Sequence, residues 1–222
     1  MRLPSIRPAA RRRARAHVAC ALLAAAALAG CSAAPPLRWV QLPLDPSAPR
    51  LAPGLPAPAS EAARSGAGPI HLLPVRLPEV LDRDELLVPQ GPAGLAPLSG
   101  WRWAEPLREA VPRLLRDDLA RALGESRVWT SPLPAGLGRV QPLRVEVVMM
   151  QAEPLARGVR LRARWSLGDA TPDRAPRGGV FDLSVPSRTE GAFAGEPAQA
   201  LAQAHRDALA ALAAALADEV GR

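Results

Sequence analysis

The chain has no lysine, no asparagine and no tyrosine, and its 222 residues include only two cysteines and three histidines. All 28 cationic side chains are therefore arginine. Beside 26 prolines, 17 glycines and long alanine runs, these absences read as the codon bias of a GC-rich genome, so the choice of arginine over lysine carries no functional meaning. Acids are missing ahead of Cys31, where six arginines stand (Arg2, Arg7, Arg11, Arg12, Arg13 and Arg15). From Cys31 onward 22 arginines face 21 acids, so most of the net charge of +7 belongs to the leader and gives no ground for nucleic-acid binding by the remainder. The apolar run "VACALLAAAAL" at 18–28 stops at eleven residues. A spanning helix needs about 20, which excludes this run as a permanent transmembrane anchor.

Scarce cysteine and histidine exclude more. Cys20 lies inside the apolar run and leaves with it, so Cys31 alone remains and no internal disulfide forms. His17 belongs to the leader, His71 to an apolar strand candidate and His205 to a helix, and no cluster has metal-ligand spacing. There is no Gly-x-Ser-x-Gly elbow, phosphate loop or dinucleotide fingerprint. Asp82, Asp84 and Glu85 are interleaved with Arg83 and read as a solvated turn rather than as catalytic carboxylates. The expectation is a non-enzymatic protein with no catalytic residue, no metal and no cofactor.

What is present begins with the leader. A basic segment, a short apolar run and small residues describe a secretory signal peptide over 1–30. It ends in Leu28-Ala29-Gly30-Cys31, the order of a bacterial lipobox. A thiolate there can reach a lipid donor, and a protease can fit the small side chains before it. Two or more acyl chains, at roughly 0.8 kcal/mol per buried methylene, hold a protein to a membrane stably. Cys31 is thus the expected lipid attachment point, with residues 31–36 as tether. The twin-arginine reading of "RRRAR" lacks the usual flanking pattern. Ser32, in place of aspartate, favours sorting to the outer membrane, with the inner membrane as the alternative.

In the mature chain, "LRWVQLPLDP" (37–46) is a short strand-like segment, and 45–68 is a Pro/Ala-rich connection without periodicity. "PIHLLPVRLPEVL" (69–81) suits an edge strand, and 84–101 a hairpin around Gly-Pro turns. Residues 105–124 predict a helix with Leu107, Val111, Leu114, Leu115, Leu119 and Ala122 near one face. Pro106 suits its first turn, Gly124 its stop, and Pro112 either a bend or the true start. Three strands follow around 143–152, 158–167 and 178–186. In the second, Val159, Leu161, Ala163 and Trp165 face one way and Arg160, Arg162 and Arg164 the other. An alanine-rich helix over 196–220 closes the chain, its stripe formed by Leu201, His205, Leu209, Leu212, Leu216 and Val220.

"LPEVLDRDELLV" (77–88), "RWAEPL" (102–107) and "LRVEVVMMQAEPLARGVRLRARWSLGD" (143–169), behind a lipobox and before an alanine-rich helix, resemble the PqiC (paraquat-inducible protein C) family of ABC-type transport auxiliary lipoproteins. The resemblance covers about 37–220, which is taken as one domain; Trp39 stands where a tyrosine-type aromatic is expected. It implies an α/β fold: a three-layer α/β/α sandwich on a mixed sheet of about five or six strands with two main helices, similar to anticodon-binding-like domains. It also implies a role in MCE-type systems that move lipid between the two envelope membranes. The lipoprotein would sit on the periplasmic face of the outer membrane, dock an MCE-domain partner and assemble as a homo-oligomeric ring.

Trp101 and Trp103 flank Arg102 in a chain that is 3% aromatic, and they share a side if the segment is extended. They are either core plugs or, with Arg102 and Glu105, part of a subunit or partner interface, where Trp and Arg are enriched. Arg160, Arg162 and Arg164 form a solvent face or a contact for lipid head groups or an acidic partner. The alternative function is a stand-alone lipid carrier, which would need a closed apolar cavity.

Overall fold

The computed structural model describes residues 36–45, 68–153, 158–168, 175–186 and 197–221. The expected signal peptide over 1–30, Cys31, Ser32 and residues 46–67 of the connection lie outside the described residues. The described residues from Leu37 onward belong to one compact unit.

Strands β1 (Arg38–Val40), β2 (Ile70–Leu72), β3 (Glu85–Gln90) and β4 (Gly94–Trp103) precede helix α1 (Leu107–Leu123). Strands β5 (Val128–Trp129), β6 (Gln141–Glu153), β7 (Gly158–Leu167) and β8 (Arg177–Pro186) follow, and helix α2 (Pro197–Gly221) ends the unit. They form a three-stranded sheet, β1-β4-β3, and a five-stranded sheet, β5-β2-β6-β7-β8. Both are mixed: β1 runs parallel to β4, β5 and β6 run parallel to β2, and the β3–β4, β6–β7 and β7–β8 pairs are antiparallel. The α/β class, the mixed pairing and the two main helices are those expected. In place of one sheet of about five or six strands there are two, with eight strands in all, because the β3–β4 hairpin pairs with β1 and with no strand of the larger sheet.

Alternation determines which side of the five-stranded sheet is dry. On β7, Val159, Leu161, Ala163, Trp165 and Leu167 are buried. On β6, Leu143, Val145 and Val147 are buried, and then the phase switches to Met150 and Ala152. The switch falls at a bulge between Val147 and Met149, where one extra residue moves odd positions from the core side to the solvent side. Helix α2 lies along β7 and β8 and packs against α1. Its alanines are small enough to be buried around most of the helix, with Leu209, Leu212 and Leu216 fully enclosed. Each such leucine contributes roughly 1.5–3 kcal/mol relative to an exposed one.

Helix α1 begins two residues later than expected, at Leu107. Pro106 is extended (φ −56°, ψ 132°) and acts as the cap, its carbonyl accepting from Glu109 and Ala110. Pro112 sits inside the continuous helix, neither ending nor starting it. Gly124 stops it at φ 105°, a conformation that disfavours a Cβ, with its N–H donating to Ala120.

Candidate functional site

The predicted quartet lies where β4 leaves the small sheet and enters α1. Register pairs Trp101 with Arg38, Arg102 with Trp39 and Trp103 with Val40. The two tryptophans share a side, as alternation requires, but differ in depth. Trp103 is 4% exposed and meets the His205 ring edge-on at 5.7 Å and 75°. It is packed in the core, one of the two roles that the sequence left open for it. Trp101 is half-buried, with the Arg38 guanidinium 5.5 Å from its ring centre. Arg102 pairs with Glu85 at 3.5 Å, and Glu105 accepts from Arg113 Nη2 at 2.6 Å.

His205 is enclosed by this arrangement. Burial pushes its pKa down to about 4, against an opposing hydrogen bond from Nδ1 to the Leu201 carbonyl at 2.8 Å. Neutral imidazole is therefore the form that the core accepts near pH 7. Beside it opens a groove of about 530 Å³ lined by Leu86, Leu107, Met150, Trp103 and His205, with Val80, Leu95 and Val148 exposed at its mouth. Arg160, Arg162 and Asp182 also line it.

A second buried polar centre was not anticipated from sequence. Arg206 on α2 is 0% exposed and donates from Nη1 and Nη2 to the two carboxylate oxygens of Asp118 on α1, at 2.6 and 2.7 Å. Its Nε and Nη2 also donate to the Leu44 carbonyl at 3.2 and 3.0 Å. Arg121 Nη1 supplies a further donor to Asp118 at 2.7 Å. The clamp thus ties both helices to the segment after β1. One signal was available: Asp118 follows Val111, Leu114 and Leu115 at the spacing of the apolar face, and a carboxylate on that face needs a buried cation.

The arginine row of β7 is solvent-exposed, as alternation predicted, and the fold adds to it. Cross-strand register puts Arg164 opposite Glu146 of β6 and Arg162 opposite Asp182 of β8. Arg144 lies two residues from Glu146 on the same side, and Arg76, in the chain beyond β2, pairs with Glu146 through a parallel backbone bridge on the other flank. Five guanidinium groups share the face with the acids Glu146, Asp182 and Glu153, the last accepting from Ser184 Oγ at 3.0 Å. Arg160 takes Asp182 in a two-pronged contact at 2.8 and 2.9 Å, which raises the arginine and holds the carboxyl below the usual carboxylate range. Arg164 reaches Glu146 only at 3.9 Å. Arg76, Arg144 and Arg162 have no ion-pair partner among the described residues. A shallow concavity lies among Arg76, Arg144, Arg164 and Ser166.

Among the described residues no group of His, Cys, Asp and Glu could hold a metal ion, and no helix is long and apolar enough to cross a membrane. Fold and sites together define a small α/β domain with a buried Arg206–Asp118 pair between its helices and a row of exposed arginines on one sheet face. The model of the family described as ABC-type transport auxiliary lipoprotein component matches residues 52–217, and the chain belongs to that family. No curated protein matches it in sequence. Among solved structures, the crystal structure of an uncharacterized protein superposes with a TM-score of 0.58 at 16% identity, covering 83% of this chain and 99% of the other. Protein XCC0632 from Xanthomonas campestris, assigned to the DUF330 family, does so with a TM-score of 0.51 at 14% identity, covering 83% and 93%. At these identities the likeness speaks for the fold alone.

Proposed function

We propose that this lipoprotein is the non-enzymatic docking subunit of an MCE-type ABC transport system that moves lipid between the two envelope membranes. In this reading Cys31 carries the lipid anchor, Ser32 directs it to the outer membrane, and the domain faces the periplasm as a ring of identical subunits around an MCE-domain partner. The family match over 52–217 carries the proposal, because it assigns a transport auxiliary role to a domain that follows a lipobox. The surface quartet members Trp101, Arg102 and Glu105 are the expected contacts, since they reach solvent beside the rigid start of α1.

The test is capture of the acylated, tagged chain from detergent-solubilised envelopes. The MCE-domain protein should co-purify with it, and replacing Arg102 and Glu105 with alanine should weaken capture without changing thermal stability. Cys31→Ser should abolish palmitate incorporation and membrane association. A chain that fractionates with the outer membrane but captures no MCE-domain protein refutes the docking role. Stoichiometric lipid on the captured chain in the absence of a partner would support the carrier instead.

A further inference from the structure

The sequence shows a single row of arginines on β7, which an ordinary solvent face would carry. The fold changes that count. Arg76 and Arg144 come from separate strand regions to stand beside Arg164, with Arg160 and Arg162 further along the same strand. Five cations therefore share one exposed sheet face with three acids, Asp182 engaged by Arg160, Glu153 accepting from Ser184 and Glu146 only loosely held. Neighbouring strands lie about 5 Å apart and alternate residues about 7 Å apart, so the guanidinium groups form a shallow lattice rather than one closed pocket.

We infer that this β6–β8 face, with Arg76, lies against the anionic head groups of the bilayer to which the lipoprotein is anchored. Three observations choose a lipid surface over an acidic protein. The cations are dispersed over the face, as are the phosphates they would meet. Among the described residues the face carries none of the aromatic anchors that dominate protein interfaces, while Val148 and Val180 are exposed on it, small enough to enter the head-group layer. Membership of a lipoprotein family supplies the membrane at high local concentration. Guanidinium groups suit this contact because their planar N–H forks match phosphate oxygens. The inference rests on the lipoprotein assignment and not on the docking role.

The experiment uses the acylated full chain in vesicles, where the anchor keeps every molecule on the bilayer and orientation alone is read. With Cys31 acylated, a cysteine introduced by Ser184→Cys labels the β8 side of the face, and Glu109→Cys labels exposed α1 as control. In vesicles containing phosphatidylglycerol, head-group quenchers should quench the Ser184→Cys label and spare the control. The contrast should vanish at 1 M salt, where the Debye length is about 3 Å. The variant Arg144→Gln/Arg162→Gln/Arg164→Gln should keep its thermal stability and lose the face-down orientation by a factor on the order of a hundred, each cation near an anionic surface supplying roughly fivefold. Equal quenching at both labels, or the same contrast in purely zwitterionic vesicles, overturns the inference. So does a triple variant with unchanged quenching, and if that variant also loses the MCE-domain protein, the face belongs to an acidic protein. Co-flotation of the chain with vesicles, read in the same samples, reports the anchor separately.

Discussion

Replacing Asp118 with alanine leaves Arg206 charged in a site where its side chain is 0% exposed. The guanidinium loses both carboxylate contacts, at 2.6 and 2.7 Å, and keeps only the Leu44 carbonyl. Water cannot replace the carboxylate without opening the contact between α1 and α2. Removing one partner of a buried pair costs about 3–5 kcal/mol, most of it the desolvation of the charge left behind. Arg206→Met should cost less, because Asp118 retains Arg121 at 2.7 Å, and that arginine side chain is 58% exposed. The double variant Asp118→Leu/Arg206→Met removes both charges, and such replacements range from neutral to stabilising. Urea unfolding followed by circular dichroism in mild detergent reads all four species. With a slope of about 2 kcal/mol per molar urea, a 4 kcal/mol loss moves the midpoint by about 2 M. The expected order is Asp118→Ala lowest, Arg206→Met intermediate and the double variant near wild type. If Asp118→Ala loses less than about 1 kcal/mol, or if the double variant loses the sum of both single changes, the clamp does not work as a coupled pair.

Stability should fall on acidification before most carboxylates titrate. His205 binds its proton near pH 6.5 when unfolded and only near 4 when folded, so the unfolded chain gains protons first as pH drops. That removes about 2 kcal/mol between pH 7 and 5 and about 3 kcal/mol in full, and His205→Met should flatten the slope of urea midpoint against pH. Trp103→Ala should cost about 3–5 kcal/mol, as for a large core aromatic, whereas Trp101→Ala should cost about 1 kcal/mol, mainly its contact with Arg38; thermal unfolding separates the two. Gly124→Ala forces a Cβ onto φ 105° and should cost about 1–3 kcal/mol, with a matching loss of midpoint in the same scans.

Much of the fold was legible because it rests on local periodicity. The β7 alternation separates Val159, Leu161, Ala163 and Trp165 from the arginines between them, and the structure keeps that division. Gly124 ends α1 where an achiral residue was expected. Pro112 was less legible, since local rules weigh a missing hydrogen bond but not the packing of Val111, Leu114 and Leu115 that holds the helix together around it. The β6 bulge was hidden for a similar reason: an extra residue in one strand is recognised only when its partner is known.

The amino-acid order by itself determined the apolar faces of the longer strands and the two main helices, because each depends on neighbours a few residues apart. Tertiary structure alone decided that Trp103 is enclosed while Trp101 reaches the surface, that Arg206 finds Asp118 across 88 positions, and that Arg76 and Arg144 widen one arginine row into a charged face. Those outcomes depend on which strand lies beside which and how closely two helices approach. Burial and electrostatic pairing act through space, over distances the chain sets only once it has folded.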